Sequence, residues 1–166
     1  MNFEIGKYKI ELEVDETYTQ NSADNIKHYQ EVYFDQSEFD FPTKIGVQLF
    51  QNDKLIKSVI IGSVGGGSGI HLNSQIIEDD RILVCCSDSV YCLSIPDLDL
   101  KWKTQVDQAT CFEIFKKDDS YIIHGEMEIS KLDSDGRLIW QQSVADIFTT
   151  EKGTNEFEIT ESYIRA

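Results

Sequence analysis

The sequence predicts an all-β fold in which antiparallel sheets form a partial, open or half β-propeller-like assembly. Two observations predict it. Apolar and polar residues alternate in short runs along most of the 166 residues, and this period of two is typical of half-buried strands. A unit of about 40 residues also recurs in the second half of the chain, which is the length of a propeller blade with four short strands.

The first half of the chain is predicted to supply two hairpins and a loop. Phe3–Ile5 and Tyr8–Val14 alternate in polarity on either side of a Gly-Lys break, which indicates the first hairpin. Residues 15–28 are polar and rich in turn-forming residues, so we expect a loop there. Ile45–Phe50 and Leu55–Ile61 flank an Asn-Asp turn and form the second hairpin.

The other predicted strands are short, and turn-forming residues separate them. Cys85 and Cys86 are neighbours in one of these strands, so their side chains are expected on opposite faces of a sheet. Together with Cys92 and Cys111 they are expected to be buried, reduced thiols, because the chain has no C-x-x-C pair. The predicted strands are Val32–Phe34, Ile70–Ser74, Ile82–Cys86, Val90–Ile95, Lys101–Val106, Cys111–Phe115, Tyr121–His124, Glu128–Leu132, Leu138–Val144 and Glu156–Ile159.

The repeat is defined by pairs of matching positions with nearly the same spacing. The intervening residues also alternate in the same way, which favours two copies of one supersecondary unit. The matching positions are Asp79–Val84 with Asp118–Ile123, Asp97 with Asp135, and Trp102 with Trp140.

One segment resembles a known repeat family. Leu132–Trp140, with the sequence Leu-Asp-Ser-Asp-Gly-Arg-Leu-Ile-Trp, resembles the hairpin and tryptophan segment of quinoprotein-type (PQQ-like) propeller repeats. Leu93–Trp102 is similar but has a longer apolar linkage in place of the turn glycine. The resemblance covers about residues 79–147 and implies that the tryptophan docks one blade on the next. It implies no cofactor-binding role.

The number of copies predicts an open arrangement within a single domain, 1–166. About two and a half copies fit, whereas a closed propeller needs at least four blades. Open sheet edges are normally covered or paired, so a homodimer through these edges is one expected outcome. The predicted segments are N-terminal strands and a loop over 1–42, a degenerate unit with a glycine-rich loop over 43–78, blade-like repeats over 79–117 and 118–147, and a C-terminal strand over 148–166.

Charge limits the classes of partner. The chain has 15 Lys and Arg against 30 Asp and Glu, a formal net charge of −15. Direct binding to nucleic acid or to an anionic membrane is therefore not expected, because phosphate contacts need cationic side chains. The acidity suits a basic protein partner, whose approach it would accelerate. It is equally explained by a need for solubility alone.

No set of residues predicts catalysis, a cofactor or a metal site. The glycine-rich segment 62–69 lacks the Lys-Ser/Thr of a P-loop, so it is expected to be mobile or closely packed. The three histidines are widely spaced and give no zinc pattern with the cysteines. Cys111 and a histidine could form a nucleophile and base, but no surrounding motif supports such a pair. Asp133 and Asp135 lack the closing glutamate of a calcium loop and are interpreted as turn formers.

The first functional hypothesis is an acidic inhibitor, specifically an immunity protein that neutralises a basic toxin, a nuclease above all, by covering its active site. The chain resembles such proteins only in general type. A generic propeller-like scaffold and an enzyme with an unrecognised site remain alternatives. The N-terminus does not resemble a signal peptide, so a cytoplasmic location is expected. The acids predicted to contact the partner, rather than only to form a solvated face, are Glu11, Glu13, Asp15, Glu16, Asp35, Glu38 and Asp40.

Overall fold

The computed structural model describes residues 1–37, 40–143, 158–160 and 164–165. Within these residues the chain forms strands and no helix, so the all-β prediction is confirmed. A helix long and apolar enough to cross a membrane is absent from this part of the chain. The strands are β1 (Asn2–Ile5), β2 (Tyr8–Val14), β3 (Glu31–Phe34), β4 (Thr43–Gln51), β5 (Lys54–Ser63), β6 (Gln75–Glu78), β7 (Arg81–Cys86), β8 (Ser89–Ser94), β9 (Leu100–Gln105), β10 (Cys111–Lys117), β11 (Ser120–Gly125), β12 (Glu128–Asp133), β13 (Leu138–Ser143), β14 (Glu158–Ile159) and β15 (Ile164–Arg165).

Three main sheets follow one another along the chain. The first sheet has the strand order β1-β2-β4-β5-β3, the middle sheet β6-β7-β8-β9, and the last sheet β10-β11-β12-β13. Neighbouring strands are antiparallel except β3, which lies parallel to β5. In the C-terminal segment predicted as one strand, the described residues form a two-stranded pair, β14 with β15. Over the described ranges none of the main sheets closes into a barrel, as expected for a partial propeller-like assembly.

The middle sheet is buried on both faces. One core lies between it and the first sheet, and a second core lies between it and the last sheet. Cys86 belongs to the first core and Cys85 to the second, so the prediction of opposite faces is confirmed. All four cysteines are buried free thiols, as predicted. Burial on both faces explains why β7 and β8 are apolar almost throughout instead of alternating.

The repeat corresponds to the middle and last sheets. β7 and β11 occupy the same place in their sheets, as do β8 with β12 and β9 with β13. The strand β6 was missing from the sequence prediction because its two apolar residues are too few to show a period. The predicted strand over Ile70–Ser74 is wrong. Ser74 Oγ donates to the carbonyl of His71 at 2.9 Å, which closes a turn before β6 begins.

Trp102 connects the last two sheets. Its side chain packs against the second core, and a Cβ placed on Gly136 would overlap its ring. Gly136 has a φ of +79°, which favours glycine in any case. Beside the ring, Thr104 Oγ1 donates to the carbonyl of Gly136 at 2.6 Å. The β12–β13 turn therefore rests directly on β9.

A buried carboxylate fixes the connection between the same two sheets. Asp107 is 1% exposed. Its Oδ1 accepts hydrogen bonds from the amides of Ala109 and Thr110, at 2.6 and 3.0 Å. Its Oδ2 accepts from the amides of Met127 and Glu128, at 2.9 and 2.8 Å. One side chain thus joins the β9–β10 connection to the β11–β12 turn.

We expect Gly136→Ala to lower the free energy of unfolding by about 2–4 kcal/mol, since the methyl group meets the Trp102 ring in a left-handed backbone conformation. Gly67→Ala is the matched control, because a Cβ there meets nothing within 4 Å, and it should change stability by less than about 0.5 kcal/mol. Chemical denaturation of both variants measures the difference. Equal effects would show that the turn does not pack on β9 in this way.

We expect Asp107→Asn to lower the free energy of unfolding by about 2–4 kcal/mol, because an amide nitrogen would face two backbone N–H groups that lose their acceptor. Asp133→Asn is the control. Oδ1 of Asp133 accepts hydrogen bonds from the amides of both Asp135 and Arg137. The amide oxygen of an asparagine can accept the same two hydrogen bonds. Urea unfolding of the two variants should therefore separate them, and a small effect at Asp107 would contradict its bridging role.

Candidate functional site

The outer face of the first sheet is covered by aromatic rings from the chain between residues 18 and 41. Tyr18 and Tyr29 meet edge to face with ring centroids 5.3 Å apart, and Phe34 and Phe41 lie 4.9 Å apart. The sheet accommodates these rings through small residues, since a Cβ at Gly46 would overlap Tyr29. The predicted loop that begins after β2 is therefore anchored on the sheet by the buried ring of Tyr18.

A shallow groove of about 350 Å³ opens at the end of β2. It contains three of the predicted partner-contacting acids, Glu13, Asp15 and Glu16, and one cation, Lys27. The groove also has an apolar wall, in which Ile26 is 85% exposed. Its remaining lining residues are Val14 and Thr17. We call these seven residues the acidic groove.

Two carboxylates of the acidic groove are held by internal contacts. Glu13 pairs with Lys27, and Asp15 accepts a hydrogen bond from Tyr29 Oη at 3.0 Å. Burial, followed by the charges of Asp15 and Glu13, raises the pKa of Tyr29, so this phenol stays protonated and keeps donating. Glu16 is exposed. The groove therefore combines two positioned carboxylates with one that faces solvent.

The other predicted acids are distributed over several surfaces. Glu11 pairs with Lys9 at 2.6 Å on the outer face of β2. Asp40 accepts from the buried Lys44 at 3.1 Å, and this hydrogen bond lowers the pKa of the Asp40 carboxyl. Glu38 lies outside the described residues. The structure thus brings together only part of the predicted set. Sequence spacing could not show this, because it does not reveal which acids have a cation as neighbour.

Asp35 belongs to a polar cluster where the first and middle sheets meet. Its carboxylate pairs with Lys103 of β9 and accepts from Ser63 Oγ at 2.7 Å. Ser63 Oγ also lies 2.6 Å from the buried Asp88. Burial alone would raise the pKa of Asp35, but the hydrogen bonds from Lys103 and Ser63 outweigh it, and the pKa is lowered. Asp35 therefore contributes to stability across the sheets.

A buried histidine–carboxylate pair lies within the last sheet. His124 Nδ1 lies 3.0 Å from Glu113 Oε2, and both residues are buried. Asn73 donates to the other oxygen of Glu113 at 3.1 Å. The sequence pattern did not reveal this pair and offered only Cys111 as a partner for a histidine. The signal that could have found it is cross-strand register, which places Glu113 opposite His124 once the bulge at the start of β10 is known.

The Cys111 thiol lies in an environment that suppresses its reactivity. It donates to the carbonyl of Ser89 at 3.2 Å, and burial raises its pKa well above the usual range. The thiolate, which is the nucleophilic form, is therefore disfavoured. Within the described residues, no group of three or more metal-ligating side chains is present.

The glycine-rich segment is closely packed only in part, since a Cβ at Gly67 or Gly69 would meet nothing within 4 Å. Gly65 has a φ of +112°, and a Cβ there would meet the carbonyl of Ala109 and the side chain of Asp88. The amide of Gly66 donates to the carbonyl of Ala109 at 2.8 Å. The amide of Ser68 donates to Thr43 Oγ1 at 2.8 Å. Both amides are therefore hydrogen-bonded to other parts of the chain.

The tryptophan and aspartate positions of the repeat differ in their surroundings. Trp102 is covered by the β12–β13 turn, whereas Trp140 is 38% exposed. Asp97 and Asp135 lie exposed in the turns before β9 and β13. The two copies of the repeat therefore have the same strand arrangement, but within the described residues only the tryptophan of the first copy is covered by a following sheet.

Comparison with known proteins identifies no family for this chain. No family model matches it, and no curated protein matches it. Among solved structures, the AfRom2 CNH domain is similar with a TM-score of 0.47 and 11% identical residues, over 73% of this chain and 40% of that chain. The chain thus spans less than half the length of that structure.

We expect Asp35→Asn to destabilise the protein at neutral pH and to lose this effect in acid. Because the folded pKa of Asp35 is lowered from its ordinary value of 3.8, its contribution is present above that value and is lost as the pH falls through the folded pKa. Denaturation from pH 7 to pH 2 should show the two proteins converging. Asp119→Asn, at an exposed turn, is the control, and a pH-independent gap for Asp35→Asn would contradict the assignment.

Proposed function

We propose that this chain is an acidic binding protein that inhibits a basic protein, and that the partner is a toxin of the nuclease type. The observation that carries the proposal is the acidic groove, a concave site on a packed sheet in a chain whose formal net charge is −15. A nuclease needs a cationic surface to hold the phosphates of its substrate. An acidic protein can cover such a surface by charge complementarity.

The groove suits a lysine or arginine side chain of the partner. The apolar stem of such a side chain would lie along Ile26, which is 85% exposed. Its charged end would reach Glu16, whose carboxylate is exposed, and Asp15, which Tyr29 holds in place. Charge-assisted hydrogen bonds of this kind are stronger than neutral ones. The remaining negative charge of the chain would steer the encounter from a distance.

The experiment that tests the proposal is coexpression with the product of a neighbouring gene, read out as rescue of growth. The wild-type chain should abolish toxicity and bind that protein in a salt-sensitive manner. Glu16→Lys should weaken binding by about tenfold or more, since it places a like charge against the cation. The loss should fall mainly on the association rate at low salt.

Asp119→Lys is the matched control because it changes the net charge equally at an exposed turn of the last sheet. It should retain most of the affinity. If both variants bind equally well, the acidic groove is not the binding site, and if the neighbour is harmless alone, the inhibitor proposal fails. A generic scaffold would show weak binding that neither variant alters.

A further inference from the structure

The outer face of the last sheet corresponds, in the repeat, to the face of the middle sheet that packs against the last sheet. On the middle sheet, Cys92 and Trp102 are cross-strand partners that face the last sheet. On the last sheet, Lys131 and Trp140 occupy the same places in β12 and β13. Leu132, which follows Lys131, is buried in the core shared with the middle sheet. Because neighbours in a strand alternate, Lys131 and Trp140 point away from that core.

Part of this outer face is covered and part is open. On the β10 side, Lys117 donates to the carbonyl of Thr160, so the C-terminal strands lie against that side. On the β13 side, Trp140 is 38% exposed. Within the described residues β13 pairs only with β12, which leaves its other edge unpaired. An unpaired edge strand with exposed apolar side chains is a typical association surface.

We propose that a second copy of this chain docks on this surface, with Trp140 of each copy packed on the β12–β13 face of the other. The equivalent face of the middle sheet, which carries Trp102, is already buried against another sheet. The surface is defined by Ile129, Lys131, Trp140 and Gln142, a set with one cation and no carboxylate. Two chains of charge −15 can approach here with little local repulsion.

The other end of the stack cannot serve as the complementary surface. The outer face of the first sheet is occupied by Tyr29 and Phe34, which lie against Gly46 and Gly62. A head-to-tail arrangement of copies is therefore blocked. The remaining arrangement pairs the last sheet with itself about a two-fold axis, which is the commonest symmetry of homo-oligomers. The acidic groove lies on the first sheet, so this inference is independent of the proposed function.

Sedimentation velocity of the full chain over a micromolar concentration series tests the proposal. The wild type should form a dimer. Trp140→Glu should weaken it by about tenfold or more, as expected for a central tryptophan of an interface. Lys131→Glu should weaken it as well, because it replaces the cation of the surface by a charge of the same sign as the approaching chain. Leu72→Glu is the control at an 81% exposed residue on another surface and should leave the dimer intact.

A wild type that is monomeric at every concentration would overturn the proposal, as would a dimer that both face variants leave unchanged. Thermal unfolding of each variant ensures that a lost dimer reflects the surface and not the fold.

Growth rescue separates the two proposals. Trp140→Glu and Lys131→Glu should lose the dimer and still protect against the toxic neighbour, whereas Glu16→Lys should lose protection and keep the dimer.

Discussion

The structure depends on burial of the middle sheet from both sides. Its inner strands, β7 and β8, contribute alternate side chains to two cores, so neither neighbouring sheet can be removed without exposing half of them. This constraint explains the apolar character of the two strands and the burial of all four cysteines. It also explains the dense bonding of the polar groups between the sheets. Asp107 and Asp88 lie where water is excluded, and each has several hydrogen-bond partners.

The fold class was predictable because it follows from local patterns. Alternation of period two located most strands, and the recurrence of Trp102 as Trp140 revealed the equivalence of two sheets. Features that depend on distant neighbours were not predictable. The parallel pairing of β3 with β5 is one of them. The turn at Ile70–Ser74 is another, since its apolar residues resemble a strand until the bond between Ser74 and His71 is known.

The candidate site was predictable only as a composition. The sequence identified an excess of acids and a set expected to contact a partner, but it could not reveal that Lys9, Lys27, Lys44 and Lys103 neutralise members of that set. Ion pairs between strands depend on register, which sequence spacing does not give. For the same reason, the sequence did not reveal the pairing of Glu113 in β10 with His124 in β11. Residues of this kind become visible once the cross-strand partners are known.

The order of the sheets along the chain matches their order in space, and this has a consequence during synthesis. The buried residues of the first core extend from Ile10 to Leu98. All of them have been synthesised before β10, the first strand of the last sheet. A growing chain can therefore bury the first core while the last sheet is still being synthesised, whereas the β7 and β8 side chains of the second core stay uncovered until β10–β12 have emerged.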